Sequence, residues 1–141
     1  MNADVDRVFL DANVLFSAAY SEASRLRELW RLAETELLTS AFALEEARRN
    51  LLAYCPDGMS HLEVLAAELE VAAETSEAAQ LPVGLDLPDK DRPLLAAAIG
   101  ATCTHLLTGD ARHFRSLYGR RAGGVLVLTP AQYLRRRTGR G

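Results

Sequence analysis

Cysteine is nearly absent. Cys55 and Cys103 are the only two in 141 residues, too few for a disulfide framework and in no metal-ligand spacing. Long hydrophobic runs are missing too. The longest uncharged stretch, Pro93–Gly109, is 17 residues and carries Thr102, Thr104, His105 and two glycines, short of the roughly twenty apolar residues of a membrane span. The opening Met-Asn-Ala-Asp-Val-Asp-Arg has neither the basic start nor the apolar stretch of a secretion signal. Lysine is reduced to Lys90, and His61, His105 and His113 share no ligand spacing. No glycine-rich phosphate loop is present, and neither Ser60 nor Ser116 has a base arranged beside it. The expectation is a reduced, soluble, cytoplasmic protein with no membrane contact.

What remains is an ordinary globular mixture, 49% hydrophobic and 25% charged, which excludes disorder as the main state. The length suits one domain, with roughly two-thirds of the unfolded surface buried. Charge is unevenly spread along the chain. Residues 111–141 hold eight arginines and no acid, whereas residues 1–110 set eight cations against all nineteen acids. An acidic body with a basic end suggests two separate electrostatic roles. The last residues, 136–141, read as a basic C-terminal tail after a single domain of residues 1–135.

Short apolar runs alternate with amphipathic stretches. Residues 7–10, 37–40, 69–73, 103–108 and 123–128 read as strands. Helices are expected from Asn13 or Ser17 to Tyr20, after Ser21-Glu-Ala-Ser with Leu26, Leu29, Trp30 and Leu32 on one face, at 41–54, at 59–68, at 91–100 and through Tyr118. Gln80–Pro88 is the main loop, and Thr129-Pro-Ala caps a final helical turn. Continuous apolar strands separated by helices indicate a three-layer α/β/α sandwich around a central, mostly parallel sheet. Ligands of such sheets sit beyond the carboxyl ends of the strands.

Acids gather where that rule points. Asp11 follows the first strand directly, and Asp110 follows the fourth strand after one glycine. Asp89 and Asp91 open the helix before that strand, and Glu46 lies in the first turns of the helix after the second. Each alone reads equally as a helix cap or dipole partner. Together they would repel and raise one another's pKa, a cost that a divalent cation offsets. Carboxylate oxygens with water are the donors that Mg²⁺ or Mn²⁺ prefers.

Four segments, Val8-Phe-Leu-Asp-Ala-Asn-Val-Leu, Ser40 to Leu51, Pro88 to Ala98 and Leu106-Leu-Thr-Gly-Asp-Ala-Arg-His-Phe, occur in the order and at the spacings of the PIN-domain family. The chain resembles that family over roughly residues 7–135. The resemblance implies a metal-dependent ribonuclease, and in small free-standing bacterial members the toxin of a toxin–antitoxin pair. It assigns Asp11 as the first catalytic acid, steadied by Asn13, and Glu46, rather than Glu45, as the second. Asp91 is the third acid, Asp89 an outer acid beside it, Asp110 the fourth, and Thr108 the hydroxyl beside the metal.

On this resemblance, Mg²⁺ or Mn²⁺ would be held by Asp11, Asp91 and Asp110, with Glu46 completing the pocket. An activated water would cleave RNA to a 5′-phosphate and a 3′-hydroxyl. Arg112, Arg115, Arg120 and Arg121, which follow Asp110, are expected to hold the RNA backbone. The implied partners are a single-stranded or looped RNA, a small antitoxin and a second copy of the chain, with residues 21–36 and 41–54 as candidate dimer faces. A housekeeping RNA-processing nuclease without an antitoxin remains open, as does a catalytically silent binding module on the same fold. A phosphoacceptor receiver is excluded, since its lysine follows a late strand and Lys90 lies in a loop.

Overall fold

The computed structural model describes residues 5–73 and 81–139. Gln80 of the expected loop and Arg140–Gly141 of the expected tail lie outside them. Strand β1 (Asp6–Leu10) runs into helix α1 (Ala12–Tyr20), a 3-10 segment (Arg25–Arg31), β2 (Thr35–Ser40), α2 (Ala41–Tyr54), α3 (Gly58–Ala66) and β3 (Glu70–Ala72). A 3-10 turn (Asp89–Asp91) then leads into α4 (Arg92–Gly100), β4 (His105–Leu107), α5 (Ala111–Phe114) with a 3-10 continuation (Arg115–Leu117), β5 (Arg121–Ala122), β6 (Val125–Leu128) and α6 (Pro130–Thr138). The six strands lie in the order β3-β2-β1-β4-β6-β5. All pair in parallel except β5 with β6.

Side-chain alternation sorts the strand residues onto two faces. Val8, Leu10, Leu37, Leu107, Leu126 and Leu128 meet α1, α2, α3 and α6. Phe9, Leu38, Leu106, Val125 and Val127 meet α4 and the Phe114–Leu117 segment. The sheet is therefore covered on both sides, as its unbroken apolar strands require. The expected three-layer α/β/α fold is the one observed. Among the described residues no helix is long and apolar enough to cross a membrane.

Three local expectations change. The second helix is a 3-10 segment capped by the Ser24 hydroxyl. It is pinned by Arg27 Nε on the Ala18 carbonyl (2.8 Å) and by the Trp30 indole on the Leu65 carbonyl (3.0 Å). These anchors hold the segment against α1 and α3. The last strand is shorter than expected, because Gly123 and Gly124 form the turn of a β5–β6 hairpin. Both have positive φ (58° and 86°), and such two-residue turns demand glycine or asparagine there.

The third change lies at the end of the chain. The expected single helical turn is a nine-residue helix opened by a Thr129–Gln132 capping box, and it takes in residues 136–138, read from sequence as tail. Arg137 holds them: it donates to Thr35 Oγ1 (2.6 Å), the Tyr133 hydroxyl (2.8 Å) and the Ala33 carbonyl (2.7 Å), and lies 3.5 Å from Asp6.

Arg137→Ala should therefore destabilise the fold by about 1–3 kcal/mol in urea unfolding, while Arg135→Ala and Arg136→Ala, both on exposed residues, stay within about 0.5 kcal/mol. Equal effects at all three positions would mean that the last turn of α6 is not docked.

Candidate active site

The chain crosses from β1 to β2 on one side of the sheet and returns to β4 on the other. The carboxyl ends of β1 and β4 thus flank the point where strand order reverses, the usual crevice for a ligand. Asp11 and Thr108 are the residues that follow those two ends. The Thr108 side chain is fully buried, and its hydroxyl donates to Asp11 Oδ2 at 2.7 Å. Asn13 Nδ2 donates to the same oxygen at 3.1 Å, and Asn13 Oδ1 accepts from the Gly109 amide at 2.8 Å. The Ala12 amide donates to Asp11 Oδ1 at 2.7 Å. Three donors from both strand ends thus fix one carboxylate.

Burial pushes the Asp11 carboxyl above the usual carboxylate range, and the nearby Glu46 charge adds to the rise. The hydrogen bonds from Thr108, Ala12 and Asn13 oppose it. Glu46 reaches this place because α2, capped by Ser40, buries Ala43, Leu44, Ala47 and Leu51 and leaves Glu46 at the edge of that face. Asp11, Glu46 and Asp91 line one cleft of about 320 Å³, with Phe42, Lys90 and Leu94 among the other walls.

Asp91 and Asp110 meet at a third residue. His113 Nδ1 lies 3.0 Å from Asp91 Oδ2 and 2.9 Å from Asp110 Oδ2. One donor atom from each of the three falls within 4.8 Å of the others. Asp110 also caps α5, its Oδ1 accepting from the His113 amide at 3.2 Å. Burial raises the Asp91 carboxyl; Asp110 adds to the rise, while His113 and Lys90 oppose it. Asp11 and Glu46 stand beside this cluster rather than within it.

The remaining candidates separate by position. Asp89 is solvent-exposed and faces Arg92 at 3.4 Å. Glu45 is exposed and 3.9 Å from Arg48. Arg112 and Arg115 flank His113 along a depression with Asp86, Pro88 and Ser116. Arg120 is exposed just before β5. Arg121 departs from the expected arginine group. It pairs with Leu126, in the row of His105 and Val8, and its charge, with Arg136 and Arg137, bears on His105. Nearness in sequence to Asp110 did not carry it to the rim, because the hairpin turns back along the sheet.

Two contributors were not expected. His113 carries a weak signal, three residues after Asp110 and so on the same side of a helical turn. Tyr118 carries none: its hydroxyl donates to the Thr108 carbonyl at 2.8 Å, and burial, with the Asp110 and Asp11 charges, pushes it up to about 12. Cys103 is a core thiol, raised by burial to about 12.

A carboxyl raised by folding binds its proton more tightly in the folded chain than in the unfolded one. Stability therefore falls as pH rises through the raised value, and the full penalty stands at neutrality. In EDTA, Asp91→Asn should melt above wild type at pH 7, and the gap should narrow as pH falls towards the carboxylate range. Melting curves from pH 7 to pH 4 measure this; a variant that melts lower throughout would mean that Asp91 is a structural ion-pair partner.

A family model described as PIN domain matches residues 7–112. Comparison by sequence with curated proteins finds no match. Among solved structures, a chain in the crystal structure of VapBC2 from Rickettsia felis bound to a DNA fragment from their promoter is similar, with a TM-score of 0.64 at 16% identity. The match covers 87% of this chain and 98% of that one, a likeness of fold. Because the family model spans well over half of the sequence and takes in Asp11, Glu46, Asp91 and Asp110, the chain belongs to the PIN-domain family.

Proposed function

We propose that the chain is a divalent-metal-dependent endoribonuclease and the toxin of a toxin–antitoxin pair, acting in the cytoplasm as a single nuclease domain that includes the whole of α6. One observation carries the reading. The fold brings Asp91 and Asp110 onto one imidazole and Asp11 and Glu46 beside them, four carboxylates gathered at one rim. The carboxylate oxygens suit Mg²⁺ or Mn²⁺, and Asp91 Oδ2 is buried and makes no hydrogen bond. Asp11, Asp91 and Asp110 would hold the ion, with Glu46 closing the pocket. A bound Mg²⁺ or Mn²⁺ supplies a more acidic water and charge neutralisation at a phosphate oxygen.

The chain's own groups do the rest. Thr108 and Asn13 keep the Asp11 carboxylate facing the crevice. Asp89, exposed and turned to Arg92, is an outer group. Arg112 and Arg115, flanking the cluster, offer positive charge to a backbone that the acids would otherwise repel. An open cleft of this size suits a single-stranded or looped RNA better than a deep A-form groove. The fold likeness to VapBC2 supports the pairing with a small antitoxin.

Cleavage of a single-stranded RNA should need Mg²⁺ or Mn²⁺, stop in EDTA, and leave 5′-phosphate ends. Asp11→Asn and Asp110→Asn should each lower the rate at least about a hundredfold, with Asp89→Asn and Glu45→Gln close to wild type. Loss at Asp89 equal to that at Asp91→Asn would reassign the third acid, and undiminished cleavage in Asp11→Asn would remove the nuclease reading.

RNA binding gives a separate measure. In a cleavage-deficient Asp11→Asn background, Arg112→Ala with Arg115→Ala should reduce the slope of log K against log salt by about 1.4, two single-strand phosphate contacts. Arg121→Ala should leave that slope unchanged. The reverse pattern would move the RNA path to the β5–α6 side.

A further inference from the structure

We propose that His113 is a further ligand of the divalent cation, adding to the carboxylates a nitrogen donor that makes the site favour Mn²⁺ over Mg²⁺. The proposal rests on the metal-dependent reading above and adds the donor that distinguishes one ion from the other. Distances come first. His113 Nδ1 stands 2.9 Å from Asp110 Oδ2 and 3.0 Å from Asp91 Oδ2. Ligands at right angles around an ion with bonds of about 2.1 Å are about 3.0 Å apart. The nitrogen already has the spacing of a neighbouring ligand to each carboxylate oxygen, and all three atoms lie within 4.8 Å of one another.

Direction comes second. At such distances a ring N–H would be expected to point along a hydrogen bond, yet Nδ1 makes none, and neither does Asp91 Oδ2, although both atoms are shielded from water. Buried polar atoms without a partner are uncommon and costly. A cation between them would satisfy both with lone pairs rather than with a proton. Placement comes third. Asp110 Oδ1 accepts from the His113 amide, and Phe114, fully buried, anchors the turn. The imidazole is thereby set over the free oxygen of the residue that caps its own helix. Asp11, the other carboxylate of the ligand set, is oriented by protein donors at both oxygens and stands beside these three atoms.

The preference follows from donor chemistry. Mg²⁺ binds through oxygen and keeps its waters, whereas imidazole suits the first-row transition ions. If His113 were instead an imidazolium sitting between two carboxylates, it would compete with any metal, and its removal would tighten binding. The two roles predict opposite signs.

The test uses the full chain, with MnCl₂ and MgCl₂ as the probes. Isothermal titration calorimetry on wild type, His113→Ala and His113→Asn gives both affinities, and circular dichroism checks folding. Pulsed electron paramagnetic resonance of bound Mn²⁺ reads nitrogen coupling directly. The expected result is ¹⁴N coupling in wild type that is lost in both variants, with Mn²⁺ affinity falling at least about tenfold and Mg²⁺ affinity much less. Mn²⁺ binding without nitrogen coupling in wild type, or equal or tighter binding in His113→Ala, overturns the histidine ligand and leaves the nuclease reading standing. Failure of wild type to bind either ion overturns both.

Discussion

The hydrogen bond from the buried Thr108 hydroxyl to Asp11 joins the ends of β4 and β1 at the place where the sheet reverses its winding. A carboxylate in a mostly apolar setting is costly unless donors surround it. Here the donors come from Thr108, Asn13 and the Ala12 amide. Asn13 also carries the Gly109 amide, and Thr108 accepts from the Asp110 amide. The position of Asp110 therefore depends on the same network as that of Asp11. Tyr118 closes it from below by bonding the Thr108 carbonyl.

Around this point the fold tolerates an electrostatic cost. Two apolar layers clamp the sheet, one built from α1, α2, α3 and α6 and the other from α4 and the Phe114–Leu117 segment. Those layers hold Glu46, Asp91 and Asp110 on one rim, although the charge of Glu46 raises Asp11 and that of Asp110 raises Asp91. A flexible rim would relax by moving the acids apart. This one is fixed by helix starts, with Ser40 capping α2 and Asp110 capping α5.

The arginines show how chain order and space part company. Eight of them follow Asp110 in sequence, but the hairpin and α6 distribute them. Arg112 and Arg115 stay by His113, whereas Arg121, Arg136 and Arg137 gather around His105. Arg137 is structural, binding β2 and the Tyr133 hydroxyl near the start of the sheet, where Tyr133 also donates to Asp6 at 2.7 Å. A basic segment that reads as one surface thus serves two ends of the molecule.

By itself the sequence determined the layers, the parallel strands, the bounds of α2 and the placing of Asp11, Glu46, Asp91 and Asp110 at strand ends or helix starts. These are local consequences of apolar periodicity and capping, which act over a few residues. Only the tertiary structure decided which of those acids share a partner. His113 and Asp91 come from different elements 22 positions apart, and their meeting depends on how α4 and α5 pack over β4, which no period encodes. The same holds for the Gly123-Gly124 turn, where an apolar run that reads as one strand folds back on itself, and for the docking of the 3-10 segment Arg25–Arg31 on carbonyls of α1 and α3. Periodicity records which side of an element is buried. The distance between two elements is set by strand order and packing, and that is where this site is made.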